Sequence, residues 1–222
     1  MDKRIALYWS GGKDCAMALH ELRTNPRYSG YRVTTLLTTL TEGYDRISGH
    51  GVRRTLLEHQ AGCLGVDLHV AYIPQRCTMS TYESVMENAL MELRSRGTTV
   101  AATGDIFIEK RRMVIFRKLG FRGCFPLMQK HTGEQLTRFM TLGFKARIVC
   151  IDSKVMDGSF IGRSLDQEFA DELPVAIDPC GEYGEFHTLV TDGPIFRKPM
   201  KCSLGEAVFR DSYYYQDIVP DN

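Results

Sequence analysis

Two short stretches of this chain hold residues whose types and spacing could do chemistry. The first is Ser10-Gly11-Gly12-Lys13-Asp14. Paired glycines let a backbone turn sharply and present N–H groups with no side chain in the way. Ser10 adds a hydroxyl and Lys13 a cation. A helix starting here would aim its positive end at the same spot. The combination suits an anion with several oxygens, such as a pyrophosphate. It is neither a Walker A loop, since GxxxxGK(S/T) is absent, nor the GxGxxG dinucleotide fingerprint. The plainer alternative is a tight strand-to-helix turn with Asp14 in the first helical turn. Lys-Asp directly after the glycines, behind an amino-terminal strand, favours the phosphate site.

The second stretch is residues 178–188, DPCGEYGEFHT. Gly181 and Gly184 permit unusual backbone angles and close approach to a ligand. Glu182, Glu185 and His187 supply carboxylates and an imidazole within a few residues. If 185–188 is extended, Glu185 and His187 point to one face, where a carboxylate can hold the imidazole's tautomer and raise its basicity. A surface loop of solvated acids is the alternative, and the spacing is not diagnostic of a metal site.

The hydrophobic pattern indicates the elements that position these stretches. Residues 5–9 are a short apolar run that reads as a buried strand, and 14–23 carry Ala16, Leu19 and Leu22 at helical spacing. Residues 31–40 read as a second strand, followed by a polar loop with Gly43, Gly49 and Gly51. A helix over about 52–63, a strand at 67–73, a helix from Ser80 with a Ser80/Glu83 capping box, and a strand at 99–103 running into Gly104-Asp105 follow. Such alternation predicts an α/β fold, a Rossmann-like parallel sheet with helices on both faces. In the second half, capping boxes at Thr132/Gln135 and Ser164/Gln167 predict helices, 145–151 reads as a strand, and 206–219 alternates like a hairpin or edge strands. Residues 178–193 show no periodicity. The expected division is 1–125 for the sheet domain and 126–222 for a smaller α+β domain.

Composition bounds the function. The 222 residues are 43% hydrophobic and 25% charged, which excludes disorder as the main state. Twenty-eight Lys and Arg against 27 Asp and Glu leave a charge of +1, which speaks against a strongly basic nucleic-acid binder. No run approaches the ~18 apolar residues of a membrane span, and the first apolar run is too short for a secretory signal. Seven widely spaced cysteines with no CxxC pair suit a reducing cytoplasm rather than a disulfide framework.

Residues 10–14 resemble the PP-loop of ATP pyrophosphatases, usually SGGxDS, with Cys15 where that pattern has Ser. Residues 181–188 are similar to the GE(N/Y)GEFHT signature of the diphthine–ammonia ligase (diphthamide synthase) family, whose members also carry a PP-loop at the amino terminus. Gly104-Asp105-Ile106, Phe125-Pro126-Leu127, Leu142-Gly143-Phe144 and Asp192-Gly193-Pro194-Ile195-Phe196 fit the same family. The resemblance implies a ligase that adenylates a carboxylate with ATP, releases pyrophosphate, and lets ammonia displace AMP. It implies ATP and Mg²⁺ as cofactors, ammonium as co-substrate, and a carboxylate acceptor such as the diphthine of elongation factor 2.

Under that resemblance Ser10, Gly11, Gly12 and Lys13 hold the β- and γ-phosphates, and Asp14 and Asp105 place Mg²⁺. Leu37, Thr38 and Thr39 at the end of the second strand, with His50, Gly104 and Asp105, line the nucleotide. Glu182, Tyr183, Gly184, Glu185, Phe186, His187 and Thr188 line the acceptor side, and Lys13, Glu185 and His187 are the catalytic set, with Glu185 or His187 deprotonating ammonium. In Glu109-Lys110-Arg111-Arg112 the plain expectation is a solvated helix start, and the functional one makes Arg112 a contact for an acidic substrate or phosphate.

Other readings stay open. PP-loop enzymes include tRNA thiolases, in which Cys150 and Cys180 would carry sulfur. The near-zero charge and the apolar strand pattern around Cys150 speak against this. A non-catalytic ATP or AMP sensor is another, but it would have little use for carboxylates and a His over the nucleotide. The sequence leaves a homo-oligomer open.

Overall fold

In the computed structural model, which describes residues 2–107 and 110–221, the first half builds one sheet and the second half another. β1 (Lys3–Tyr8) leads to α1 (Lys13–Thr24), β2 (Tyr31–Thr41), the short β3 (Arg46–Ile47), α2 (Arg54–Leu64), β4 (Asp67–Ile73) and α3 (Met79–Ser95). β5 (Val100–Ala102), α4 (Lys110–Lys118) and β6 (Arg122–Cys124) complete this half. Five strands run parallel in the order β4-β2-β1-β5-β6, and β3 pairs antiparallel with β2 where β2 outruns β1.

Helices cover both faces, so the central strands are apolar on both sides. Ile5, Ala6 and Leu7 are all fully buried. Ala6, Leu37 and Ala101 pack with Met86, Leu90 and Leu93 of α3 and Phe116 of α4. Leu7, Leu36 and Leu40 belong to the cluster that holds Leu19 of α1 and Leu57 of α2. The chain winds from β1 outward to β4, then returns to the other side of β1 with β5 and β6. That reversal puts the loops after β1 and β5 side by side at the carboxyl ends of the strands, where ligands of such sheets bind.

The second half holds α5 (Thr132–Thr141), β7 (Lys145–Asp152), α6 (Gln167–Glu172), β8 (Phe186–Asp192), β9 (Cys202–Arg210) and β10 (Tyr213–Pro220). Its sheet is antiparallel in the order β8-β7-β10-β9. The larger core cluster runs through both halves, joining Leu19 of α1 to Ile148 of β7 and Leu189 of β8. Buried Glu21 of α1 meets Arg138 of α5 and, at 3.5 Å, Lys130. Among the described residues no helix is long and apolar enough to cross a membrane.

Helix starts differ from the capping boxes read in the sequence. Thr78 caps α3, its Oγ1 accepting from Thr81 N at 3.2 Å, and Ser80 lies inside the helix. Asp166 rather than Ser164 caps α6, accepting from Phe169 N at 3.0 Å. His131 is the cap position of α5, and Thr132 donates its hydroxyl to Asp178 Oδ2 at 2.8 Å instead. In each case the cap is the extended residue immediately before the helix. β8 falls inside the segment that lacks periodicity, because Thr188, Leu189 and Val190 are buried on both faces and alternation is erased.

Candidate active site

The loop between β1 and α1 is fixed mainly through its backbone. Gly11 has φ +82°, which glycine alone adopts at little cost, and a Cβ there would meet Gln60 Oε1 and Leu189 at 3.0 Å. Its carbonyl accepts from Val190 N at 2.9 Å and from Gln60 Nε2 at 3.1 Å. Gln60 is fully buried; it also donates to Val190 O at 2.6 Å and accepts from Trp9 Nε1 at 2.7 Å. This one amide ties the loop to β8 and to the end of β1. Gln60 is not among the residues singled out in the sequence, although a lone amide in the stripe Leu56, Leu57, Ala61, Leu64 is a legible signal.

Gly12 precedes α1, and Lys13 N donates to Thr188 Oγ1 at 3.0 Å. Cys15 Sγ donates to Gly12 O at 3.1 Å and lies 3.7 Å from Ser10 Oγ. Burial pushes its thiol up to about 11, so it stays a neutral donor and does locally what a Ser would do. Lys13 is buried, with Nζ donating to Asp14 Oδ2 at 2.8 Å and to the carbonyl of Cys180. Burial opposes its charge, but Asp14, Cys180 and Glu182 outweigh it and hold the ammonium pKa above its usual value.

The loop at 178–185 comes against this lysine. Asp178 Oδ1 accepts from Cys180 N at 2.8 Å and Glu182 N at 3.3 Å. Glu185, 6% exposed, accepts from Asp178 N at 3.1 Å and Tyr183 N at 2.9 Å, so its carboxylate closes the loop on itself. The expected alignment of Glu185 with His187 on one face is therefore replaced by a different pairing. β8 begins at Phe186, which leaves Glu185 outside the strand's alternation. His187 Nδ1 instead lies 3.1 Å from His50 Nε2, with ring centroids 4.1 Å apart. Burial, then the Lys13 ammonium, pushes His187 down to about 4. Burial, His187 and Lys13 hold His50 well below the usual histidine value.

Glu182 behaves differently. Burial first, then Asp14, with Asp178 and Asp105 adding and Lys13 opposing, pushes its carboxyl up to about 7. A group with that value exchanges protons at neutral pH. Burial pushes the Cys150 and Cys180 thiols up to about 12, which leaves both protonated and weakly nucleophilic at neutral pH.

The loop after β5 supplies the third wall. Asp105 Oδ2 accepts from Thr103 Oγ1 at 3.0 Å and pairs with Arg112 Nη1 at 3.0 Å, while the Arg112 guanidinium lies over the Tyr8 ring at 5.4 Å. Glu109 and the side chains of Lys110 and Arg111 lie outside the described residues. A Cβ on Gly104 would sit 2.6 Å from the Asp14 carbonyl, so this loop packs directly on the first turn of α1. Phe107 and Tyr183 stack at 6.2 Å and join the two loops across the site.

Leu37, Thr38 and Thr39 lie inside β2, which runs on to Thr41 through its pairing with β4, rather than at its end. The Leu37 side chain is packed in the core, and its carbonyl accepts from Trp9 N at 2.8 Å. Thr38 is 2% exposed with Oγ1 unpartnered, and Thr39 is partly exposed. Among the described residues no group of three or more His, Cys, Asp or Glu could hold a metal ion. Asp14 and Asp105 each sit beside a cation, Lys13 and Arg112. They fit Mg²⁺ only in the mode in which one or two carboxylates and the substrate's phosphates share the ion.

The chain matches the family described as diphthamide synthase N-terminal domain over residues 3–122, and that described as diphthamide synthase C-terminal domain over residues 132–219. Diphthine–ammonia ligase of Schizosaccharomyces pombe is 29% identical over 103 residues, covering 44% of this chain and 17% of that protein. Diphthine–ammonia ligase of Homo sapiens is 22% identical, covering 94% of this chain and 86% of that protein. The match therefore spans under a fifth of the first relative and most of the second. A solved structure of a predicted subunit of tRNA methyltransferase from Methanocaldococcus jannaschii is 17% identical with a TM-score of 0.43, over 75% of this chain and 84% of that one. Likeness at that level implies nothing about the reaction. The two matched segments each contribute one of the loops that meet at Lys13, and the chain belongs to the diphthamide synthase family.

Proposed function

We propose that this chain is an ATP-dependent amide-forming ligase of the diphthine–ammonia ligase kind. It attaches AMP to a substrate carboxylate and lets ammonia displace it. The observation that carries this reading is the meeting of the two loops. The buried ammonium of Lys13, at the amino end of α1, touches the carbonyl of Cys180 in the carboxylate-rich segment. A phosphate-binding turn and an ionisable acid, Glu182, then face one site.

A carboxylate is a poor acyl donor because its leaving group would be oxide. Transfer of AMP to one of its oxygens forms the O–P bond as the bond to pyrophosphate breaks. Ammonia then attacks the acyl carbon, AMP leaves with that oxygen, and one proton is released. Backbone N–H groups of residues 10–12 and the Lys13 cation stabilise the pyrophosphate as it departs. Lys13 reaches the phosphates by exchanging its Cys180 carbonyl for a phosphate oxygen. Mg²⁺, when bound with ATP, offsets triphosphate charge, and Asp14 and Asp105 are the residues that would share it. Glu182, with its pKa near neutrality, takes the proton from ammonium, while Glu185 keeps the loop closed around it.

The division of labour we read is 1–125 for the nucleotide and 126–222 for the acceptor. A groove of about 980 Å³, lined by Tyr44, Arg53, Phe209, Arg210 and Tyr215 among others, reaches Gly49 and Gly51 on either side of His50. A diphthine-bearing elongation factor 2 is the acceptor we propose for it. All seven cysteines are free, which suits a cytoplasmic enzyme. The test is incubation of the chain with ATP, Mg²⁺, ammonium and that acceptor. Equal amounts of AMP and amide are expected, with about a thousandfold slower release from Lys13→Met. ADP and inorganic phosphate as products would overturn the proposal.

A further inference from the structure

The contact between His50 and His187 joins a loop of the first half to a strand of the second. We propose that His50 is a positioning residue, which donates from Nε2 to Nδ1 of His187 and so fixes the proton of His187 on Nε2. His187 then meets the anion as a neutral hydrogen-bond donor and not as a base. The identity of the anion, a phosphate oxygen of the nucleotide, rests on the ligase reading; the position of the proton does not.

The argument is a count of protons. Two neutral imidazoles share the 3.1 Å contact, so one nitrogen donates and the other accepts. His50 Nδ1 is buried and has no partner. If His187 donated, the His50 proton would sit on Nδ1, a buried N–H with nothing to receive it. If His50 donates, Nδ1 carries only a buried lone pair. Among buried backbone groups an orphaned N–H is rarer than an under-used carbonyl, and by the same preference a bare ring lone pair costs less than a stranded ring N–H. The second arrangement is the favoured one, and it places the His187 proton on Nε2. His187 is partly exposed, and its Nε2 is not among the buried atoms that lack a partner. That N–H is then the one donor left to the ring.

The surroundings keep both rings neutral and in place. The charged group acting on each ring is the Lys13 ammonium, on α1, and each ring lies beside the other. A second cation there is disfavoured. The His50 loop is held from several sides. Gly49 and Gly51 take φ +80° and +70°, Arg46 Nη1 donates to Gly51 O at 2.6 Å, and a Cβ on Gly51 would meet Tyr215 at 2.9 Å. Arg46 and Arg53 both pair with Asp217 of β10, which anchors the loop to the second sheet. A neutral imidazole held this way beside a lysine offers two donors to one anion.

The test is a nitrogen-15 NMR spectrum of the histidines in the full chain without substrate. His187 is expected to carry its proton on Nε2 with Nδ1 bare. A proton on Nδ1, or a protonated ring at pH 7, would overturn the proposal. His50→Gln keeps an N–H donor at the same reach, and His50→Leu removes it. With Gln the tautomer should persist and pyrophosphate release should stay within about threefold of wild type; with Leu the tautomers should mix and the rate should fall about tenfold. Equal rates in the two variants would contradict the role of His50. If the Leu chain fails to fold, the wild-type spectrum and the Gln variant still decide. Failure of the ligase reading would look different: no AMP from any chain, with the spectrum unchanged.

Discussion

The loop at 10–14 and the loop at 178–185 meet at one lysine, yet they are built in opposite ways. The first is a fixed cradle. Its glycines leave no room for side chains, Gln60 and Val190 satisfy its carbonyl, and Asp14 neutralises Lys13. The second concentrates unlike carboxylates. Asp178 and Glu185 bind backbone N–H groups and make the loop's shape, while Glu182 is held near neutrality by burial and by the acids around it. The contrast teaches that neighbouring acids can divide into structure and chemistry: hydrogen bonds to backbone N–H groups fix Asp178 and Glu185, while burial and nearby charge set Glu182 apart.

The largest effect should come from the cradle's charge. Lys13→Met should lower ATP-dependent pyrophosphate release about a thousandfold with the circular dichroism spectrum unchanged. A loss under tenfold would show that the loop binds through its backbone only. Next is the cradle's backing. Gly104→Ala forces a methyl against the Asp14 carbonyl, where the gap is 2.6 Å, and should cost about 2 kcal/mol in urea unfolding. An unchanged midpoint would mean that the two loops can move apart freely.

Glu182→Gln breaks the comparison from the other side and should slow amide formation about tenfold. It also has a pH signature. The folded chain keeps a proton on Glu182 up to about 7, whereas an unfolded chain sheds it near 4.5. Between these values the folded state binds more protons, so this group makes stability fall as pH rises through the window. Removing the charge should therefore give the variant a Tm advantage that widens from about pH 5 to pH 7 and then levels. A gap that narrows with pH would refute the raised Glu182 pKa. The smallest effect is Cys15→Ser, which replaces one short donor to Gly12 O with another and should change stability by less than about 1 kcal/mol.

Much of this site is legible in the chain itself because its needs are local. A glycine pair between an apolar run and a helix can be read without knowing what packs on it, and so can a cluster of acids with glycines. What escapes the sequence is set by distant partners. Gln60 matters through Gly11 and Val190, and Asp217 through Arg46 and Arg53. The capping boxes mislead at Ser80 and Ser164 because the pattern ignores backbone angles, and Thr132 has a longer-range use for its hydroxyl. The 178–193 segment hides β8 because its strand is covered on both faces. The Glu185–His187 alignment fails for a related reason, since the strand starts one residue later than alternation assumes.

The most direct measurement follows an oxygen atom. If the acceptor carboxylate is labelled with heavy oxygen and turned over with ATP and ammonium, the account predicts one labelled oxygen in AMP for each amide formed, and none in pyrophosphate. Label appearing in inorganic phosphate alongside ADP, or amide formed with unlabelled AMP, would contradict it.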